Sequence, residues 1–146
     1  DGSLWCGMTT RGWPSLGTAT EGLQRLRWTG KVPFDLLELE ATSEGFVVHF
    51  TKPVDSESFA EAILSARSWT YNHWSTYGSG LIDEADHEII SATLAPDAMS
   101  AHLVVGNLRP GYVHEIDIED IASVSGEALL HRTGWYTLLA VPTKGD

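Results

Sequence analysis

Cysteine is nearly absent. Cys6 is the only one, so no disulfide can form within the chain and none can staple its fold. Positive charge is scarce as well: nine Lys and Arg stand against twenty Asp and Glu, a formal charge of -11. A chain so acidic repels phosphate backbones and anionic headgroups, which makes nucleic acid and membrane surfaces poor partners. No apolar run approaches the roughly 20 residues of a membrane-spanning helix, and no basic-then-apolar leader is seen. Helical periodicity is almost missing. So are the local signatures of common chemistries: there is no Gly-x-Ser-x-Gly elbow, no His-Glu-x-x-His, no phosphate-cradling loop and no Cys-x-x-Cys-His. These absences argue against catalysis by the chain itself and against any resident cofactor, covalent haem included.

What is present is apolar side chains in period two. Hydrophobic residues make up 42% of 146 residues, enough for one domain with a real core and a small appendage. Residues 34–41 alternate, with Leu37 and Leu39 on one side and Glu38 and Glu40 on the other. After a turn at Ser43-Glu44-Gly45, Phe46, Val48 and Phe50 line one face of a second strand, making a hairpin. Asp55 or Ser56 caps a short helical turn through Phe59 to Ile63. Residues 65–74 read as extended, residues 77–88 as an irregular acidic loop, and residues 88–95 as a strand with Ile90, Ala92 and Leu94 in register. Tyr112, His114, Ile116 and Ile118 share one face of a later strand, and Trp135, Leu139 and Val141 mark a closing one. Ahead of these, Leu4 to Met8 and Leu23 to Trp28 are short strands about a Gly/Thr/Ser-rich loop over residues 9–20. Many short strands with turn signals every eight to twelve residues predict an all-β antiparallel sandwich.

Several pieces carry a family resemblance. Phe50-Thr51-Lys52-Pro53-Val54-Asp55, the turn around Asp97, Leu108-Arg109-Pro110-Gly111-Tyr112 and the run from Ile121 to Leu129 together resemble a bacterial immunoglobulin-like domain of the fibronectin III-like kind. The chain departs from that pattern at His114, where such domains carry an aromatic. Residues 1–13, from Asp1-Gly2-Ser3-Leu4-Trp5 to Gly12-Trp13, with Gly22-Leu23-Gln24-Arg25-Leu26, resemble the last blade of glucose/sorbosone dehydrogenase-like β-propellers. Trp69-Thr70-Tyr71, Tyr77-Gly78-Ser79 and Trp135-Tyr136-Thr137-Leu138 resemble the module that follows such a propeller. The resemblance implies an N-terminal extension over residues 1–33 and an immunoglobulin-like sandwich over residues 34–146. It implies a noncatalytic spacer or docking module of an exported multidomain oxidoreductase-like protein, periplasmic or extracellular, with adjacent domains of its parent polypeptide as partners. On this reading the chain is a fragment, and Trp5, Trp13 and Trp28 pack the extension onto the sandwich or onto the propeller.

Two alternatives rest on the residues themselves. Four aromatics fall within residues 69–79. With Trp69 and Tyr71 facing inward, Trp74, Tyr77 and Asn72 are candidates for binding carbohydrate: flat rings stack on the C–H faces of a pyranose while an amide bonds its hydroxyls. Polysaccharide is then a partner. The cluster Asp83-Glu84-Ala85-Asp86-His87-Glu88 offers hard oxygen ligands of the kind calcium takes, although its spacing is not that of an EF-hand. His73 and His87 flank it, so His73, Asp83, Asp86 and His87 are the candidates for a small metal-binding or redox site. The bland counterpart of the first is core packing, and that of the second a solvated acidic loop.

Overall fold

The computed structural model describes residues 2–9 and 21–143. Of the loop expected over residues 9–20, residues 10–20, Trp13 among them, lie outside the described residues, and Thr9 ends a strand. By internal contacts the chain divides into two compact units, Asp1–Val32 and Pro33–Asp146.

The first unit is a ribbon of two antiparallel strands, β1 (Leu4–Thr9) and β2 (Glu21–Leu26), in register from Leu4 opposite Leu26 to Thr9 opposite Glu21. Alternation places Leu4, Cys6, Met8 and Leu26 on one face and Trp5, Leu23 and Arg25 on the other. The Arg25 guanidinium lies 5.4 Å from the Trp5 ring centre. Leu4, Trp5, Met8, Leu23, Leu26 and Trp28 are all exposed, so the ribbon carries apolar side chains on both faces and encloses none of them.

The second unit contains, in chain order, β3 (Leu36–Ala41), β4 (Gly45–Phe50), α1 (Ser56–Glu61), β5 (Ile63–Tyr71), β6 (Leu81–His87), β7 (Ile89–Leu94), β8 (Ser100–Val105), β9 (Tyr112–Glu119) and β10 (Thr133–Leu138). They form two four-stranded antiparallel sheets, β3-β4-β8-β7 and β10-β9-β5-β6. Lettered from β3, that is the A-B-E-D and G-F-C-C′ order of an immunoglobulin-like sandwich. The inner faces meet in one core. Phe46, Val48, Phe50, Ala101, Leu103 and Val105 come from the first sheet and Ala66, Ile116 and Ile118 from the second, with Phe34, Val54, Phe59 and Ile121 closing the ends. The helix is one of these closures. Asp55 caps it, its carboxylate accepting the Ser58 N–H at 2.9 Å, and Phe59 is the residue it buries. It ends at Glu61, so Ile63 begins β5 instead of ending the helix.

Three local readings are corrected by backbone detail that strict alternation cannot anticipate. In β3 the register shifts between Leu36 and Glu38. The extra residue, Leu37, is thrown outward at 65% exposure, and Leu36 and Leu39 pack on the core instead. β7 shifts between Ile89 and Ser91, so Ile89 joins Ala92 and Leu94 against the core and Ile90 is exposed. A bulge adds one residue and flips the parity beyond it. In β10 the inward residues are Tyr136 and Leu138, while Trp135 and Leu139 face out. The supposed acidic loop is also a strand. β6 is an edge strand beside β5, where solvent meets one side of the strand and carboxylates are tolerated.

Glycine fixes the tightest backbone approach. A Cβ on Gly45 would stand 1.9 Å from the Leu103 carbonyl oxygen, a backbone atom of the β4–β8 ladder that cannot step aside. Gly45→Ala is therefore expected to destabilise the sandwich by about 2–4 kcal/mol in urea unfolding. Gly80→Ala, with nothing within 4 Å, should change stability by no more than about 0.5 kcal/mol. Equal effects would contradict this packing.

Candidate functional site

The densest group of polar side chains lies in the second sheet, where β5, β6 and the turn before β9 converge. On β5, Ser68 pairs across to His114 of β9 and to Ala85 of β6, which points its hydroxyl inward. On β6 the register shifts opposite Ser68 and Thr70, and Asp83 there has φ 54°, a left-handed conformation that Asp tolerates better than most residues. The bulge re-aims its carboxylate, which accepts from the Arg109 guanidinium and from the Tyr112 hydroxyl, the latter at 2.5 Å. Arg109 lies over the Tyr112 ring, 3.7 Å from its centre. It also donates to the Asp83 carbonyl at 2.7 Å and to Ser68 Oγ at 3.3 Å.

The chain of bonds continues inward. Ser68 Oγ is 2.7 Å from His87 Nε2, and His87 Nδ1 is 3.1 Å from the Gly106 carbonyl. A carbonyl only accepts, so Nδ1 carries a proton there, while the Ser68 hydroxyl can serve Nε2 as either donor or acceptor. His114 follows the same logic. Its Nε2 accepts the Arg109 backbone N–H at 3.2 Å, and its Nδ1 donates to the Tyr112 carbonyl at 3.3 Å. The two imidazoles stack, centres 5.4 Å apart. The His114 ring is thus wired for the neutral form. Burial holds the His114 imidazole below its usual range, and nearby His87 and Arg109 reinforce this against the Tyr112 carbonyl. Asp83 is held below the ordinary carboxylate range by the Tyr112 hydroxyl and by Arg109, and the same bond raises the Tyr112 phenol.

A serine hydroxyl on a histidine nitrogen resembles a nucleophile and its base. Here Ser68 is fully enclosed, at 0% exposure, and the second imidazole nitrogen is oriented by a backbone carbonyl. No substrate reaches the hydroxyl, so the arrangement is a structural tie between β5, β6 and the turn of residues 106–111.

The sequence candidates are dispersed. Trp74 is exposed, with its indole N–H on the Gly78 carbonyl at 2.8 Å. Tyr77 is fully exposed. Asn72 is exposed, and its backbone N–H is held by Ser79 Oγ at 2.9 Å. All three, with exposed His73, belong to the connection between β5 and β6. Trp69 is buried as expected but outside the inter-sheet core: it shares the outer face of β5 with Arg67, whose guanidinium is 5.0 Å from its ring, and its indole donates to the Tyr71 hydroxyl at 2.9 Å. Tyr71 is 48% exposed and does not face inward. Among the metal candidates, Asp86 is exposed on β6, while Asp83 and His87 belong to the network just described. Among the described residues no three His, Cys, Asp or Glu gather to hold a metal. Sequence reasoning did not find Ser68, Arg109 or Tyr112. The available signal is the Arg109-Pro110-Gly111-Tyr112 turn, which carries part of the immunoglobulin-like resemblance and marks no polar cluster by itself.

No family model matches the chain, and no curated protein sequence does. Solved structures do. The chain is similar to the S-layer protein rSbsC(31-844), with TM-score 0.54 and 18% identity over 77% of this chain and 14% of that one. It is similar to the N-terminal part of the bacterial S-layer protein SbsC, with TM-score 0.53 and 18% identity over 73% and 24% of the two chains. A third likeness is to surface layer protein SbsC, domains 1–6, at TM-score 0.54. At this identity the likeness shows the sandwich fold. The chain spans no more than 24% of the length of any of these structures.

The network makes a pH prediction. The folded-state pKa of His114 lies below its unfolded value near 6.5, so the unfolded chain binds the proton first on acidification. The stability contributed by the neutral ring is complete above about pH 6.5 and is lost as pH falls towards the folded pKa. Urea midpoints should decline from about pH 6.5 downwards, before carboxylates such as Asp83 titrate. His114→Gln should flatten that decline; an unchanged slope would contradict the assignment.

Proposed function

We propose that the chain is a noncatalytic spacer or docking module of a larger exported bacterial protein. The observation that carries this reading is the likeness of its fold to parts of a long surface-layer chain, each match covering a small share of that chain. A fold used as one module among several supports adjacent domains of the same polypeptide as the partners, and a surface-layer neighbour supports an extracellular or cell-surface location. The sealed Ser68–His87 pair agrees with a role that is not catalytic.

The finer reading makes residues 1–33 the end of a glucose/sorbosone dehydrogenase-like propeller and residues 34–146 the module after it, in an oxidoreductase-like parent. Two features support it. The division between units falls at Val32 and Pro33. The β1–β2 ribbon exposes apolar residues on both faces, and a two-stranded ribbon alone is marginal at best in water, so it suits a strand pair belonging to a larger sheet. The coding sequence on either side tests both levels. Propeller repeats and an export signal upstream are expected. Further domains without propeller repeats would remove the oxidoreductase context, and a reading frame limited to these residues would remove the module reading altogether.

A second reading is carbohydrate binding by Trp74, Tyr77 and Asn72, favoured by the exposure of both rings. Calcium or another metal at His73, Asp83, Asp86 and His87 has no comparable support, because Asp83 and His87 are engaged by Arg109, Tyr112, Ser68 and Gly106.

A further inference from the structure

We propose that the groove between the edge strands β3 and β10 is a binding site for a neutral hexopyranose chain, with the Trp135 indole as its stacking plate. The site is separate from residues 72–80 and does not depend on what the parent protein is.

β3 and β10 are the outermost strands of their respective sheets. They come together because Gly134 has no side chain: a Cβ there would lie 2.8 Å from Leu39 Cδ1 and 3.4 Å from Leu36 Cδ1. Beside this contact the β3 bulge projects Leu37 outward, 65% exposed, and β10 presents Trp135, 60% exposed. Between them runs a groove of ≈ 420 Å³, walled also by Glu38, Asp35 and Thr133. That volume is within the range of small-ligand sites, roughly 300–1,000 Å³.

Three observations select a saccharide. First, the indole is pre-set. Its N–H donates to Glu115 Oε2 at 2.7 Å, and Glu115 Oε1 is held by Arg67 Nε at 2.6 Å, so the ring keeps its place while its surface stays open. Binding then costs little ordering, and a flat rigid ring suits the C–H face of a pyranose. Second, the wall offers acceptors for hydroxyl groups. Among the described residues no hydrogen bond or ion pair engages the Glu38 carboxylate, whereas Asp35 is tied to His131 by its backbone N–H at 3.1 Å and its ring at 2.8 Å. These carboxylates, with the net charge of -11, disfavour an anionic polymer. Third, a peptide adding as a strand to β3 is disfavoured. Strand addition needs an unbroken row of backbone groups, and the shift between Leu36 and Glu38 interrupts that row on β3.

Affinity electrophoresis of the chain through gels containing laminarin, galactomannan, xyloglucan or soluble starch tests the site. Retardation is expected in at least one gel, weakened about tenfold or more by Trp135→Ala and unchanged by Trp74→Ala. Because Trp135→Ala also removes the partner of Glu115, Leu37→Arg provides a second arm. Leu37 is exposed, so this variant keeps the fold, and it should abolish retardation by filling the groove. The proposal is overturned by no retardation in any gel, by retardation that survives both groove variants, or by retardation lost in Trp74→Ala alone. Capture of extended peptides through Leu37 and Trp135, with no polysaccharide bound, would overturn it too.

Discussion

Phe46 is where the two sheets are locked together. It is fully buried on β4, and its ring lies 5.5 Å from His114 and 5.7 Å from Tyr136, both on the opposite sheet. With a lone cysteine the chain has no internal disulfide, so the sandwich depends on apolar burial, at about 1.5–3 kcal/mol for each fully enclosed large side chain. That dependence constrains everything adjacent to it. A polar group may enter the interior only if its hydrogen bonds are made there, and among the described residues no buried side-chain polar atom lacks a partner. Ser68, His87 and His114 meet this condition, which is why a cluster with catalytic-looking chemistry behaves as part of the scaffold.

The sandwich was legible because its central strands obey alternation. Phe46, Val48 and Phe50, and His114, Ile116 and Ile118, read correctly from period two, since each of these strands buries one face. The edges were less legible. The bulges at Leu37 and Ile90 leave no mark in composition, and each reverses which leucine or isoleucine faces in. β6 reads as a loop in the sequence because an edge strand with carboxylates looks like one. The polar network was hidden for a different reason. Its members are distant in sequence, and Asp83 reaches Arg109 only through a backbone conformation that no spacing rule encodes.

Surface chemistry was the least legible part. An aromatic residue reads the same whether it is buried or exposed, and parity alone separates Tyr136 from Trp135. The sequence drew attention to residues 69–79. There Trp69 is enclosed beneath Arg67, while Trp74 and Tyr77 are open. The structure adds a further open aromatic at Trp135, set by Glu115 and flanked by the Leu37 bulge. Both places lie where strand regularity ends: at a connection between strands or at an irregular edge. The regular interior is left to cohesion.

Hydrogen exchange measured residue by residue tests the central claim most directly, which is that cohesion resides in the Phe46-centred contact between sheets. Amides of β4, β5, β8 and β9 should exchange slowest and together, with a protection free energy equal to that of global unfolding, while residues 72–80 exchange far faster through local opening. Separate exchange of β4 and β9, with unequal free energies both well below the global value, would contradict it.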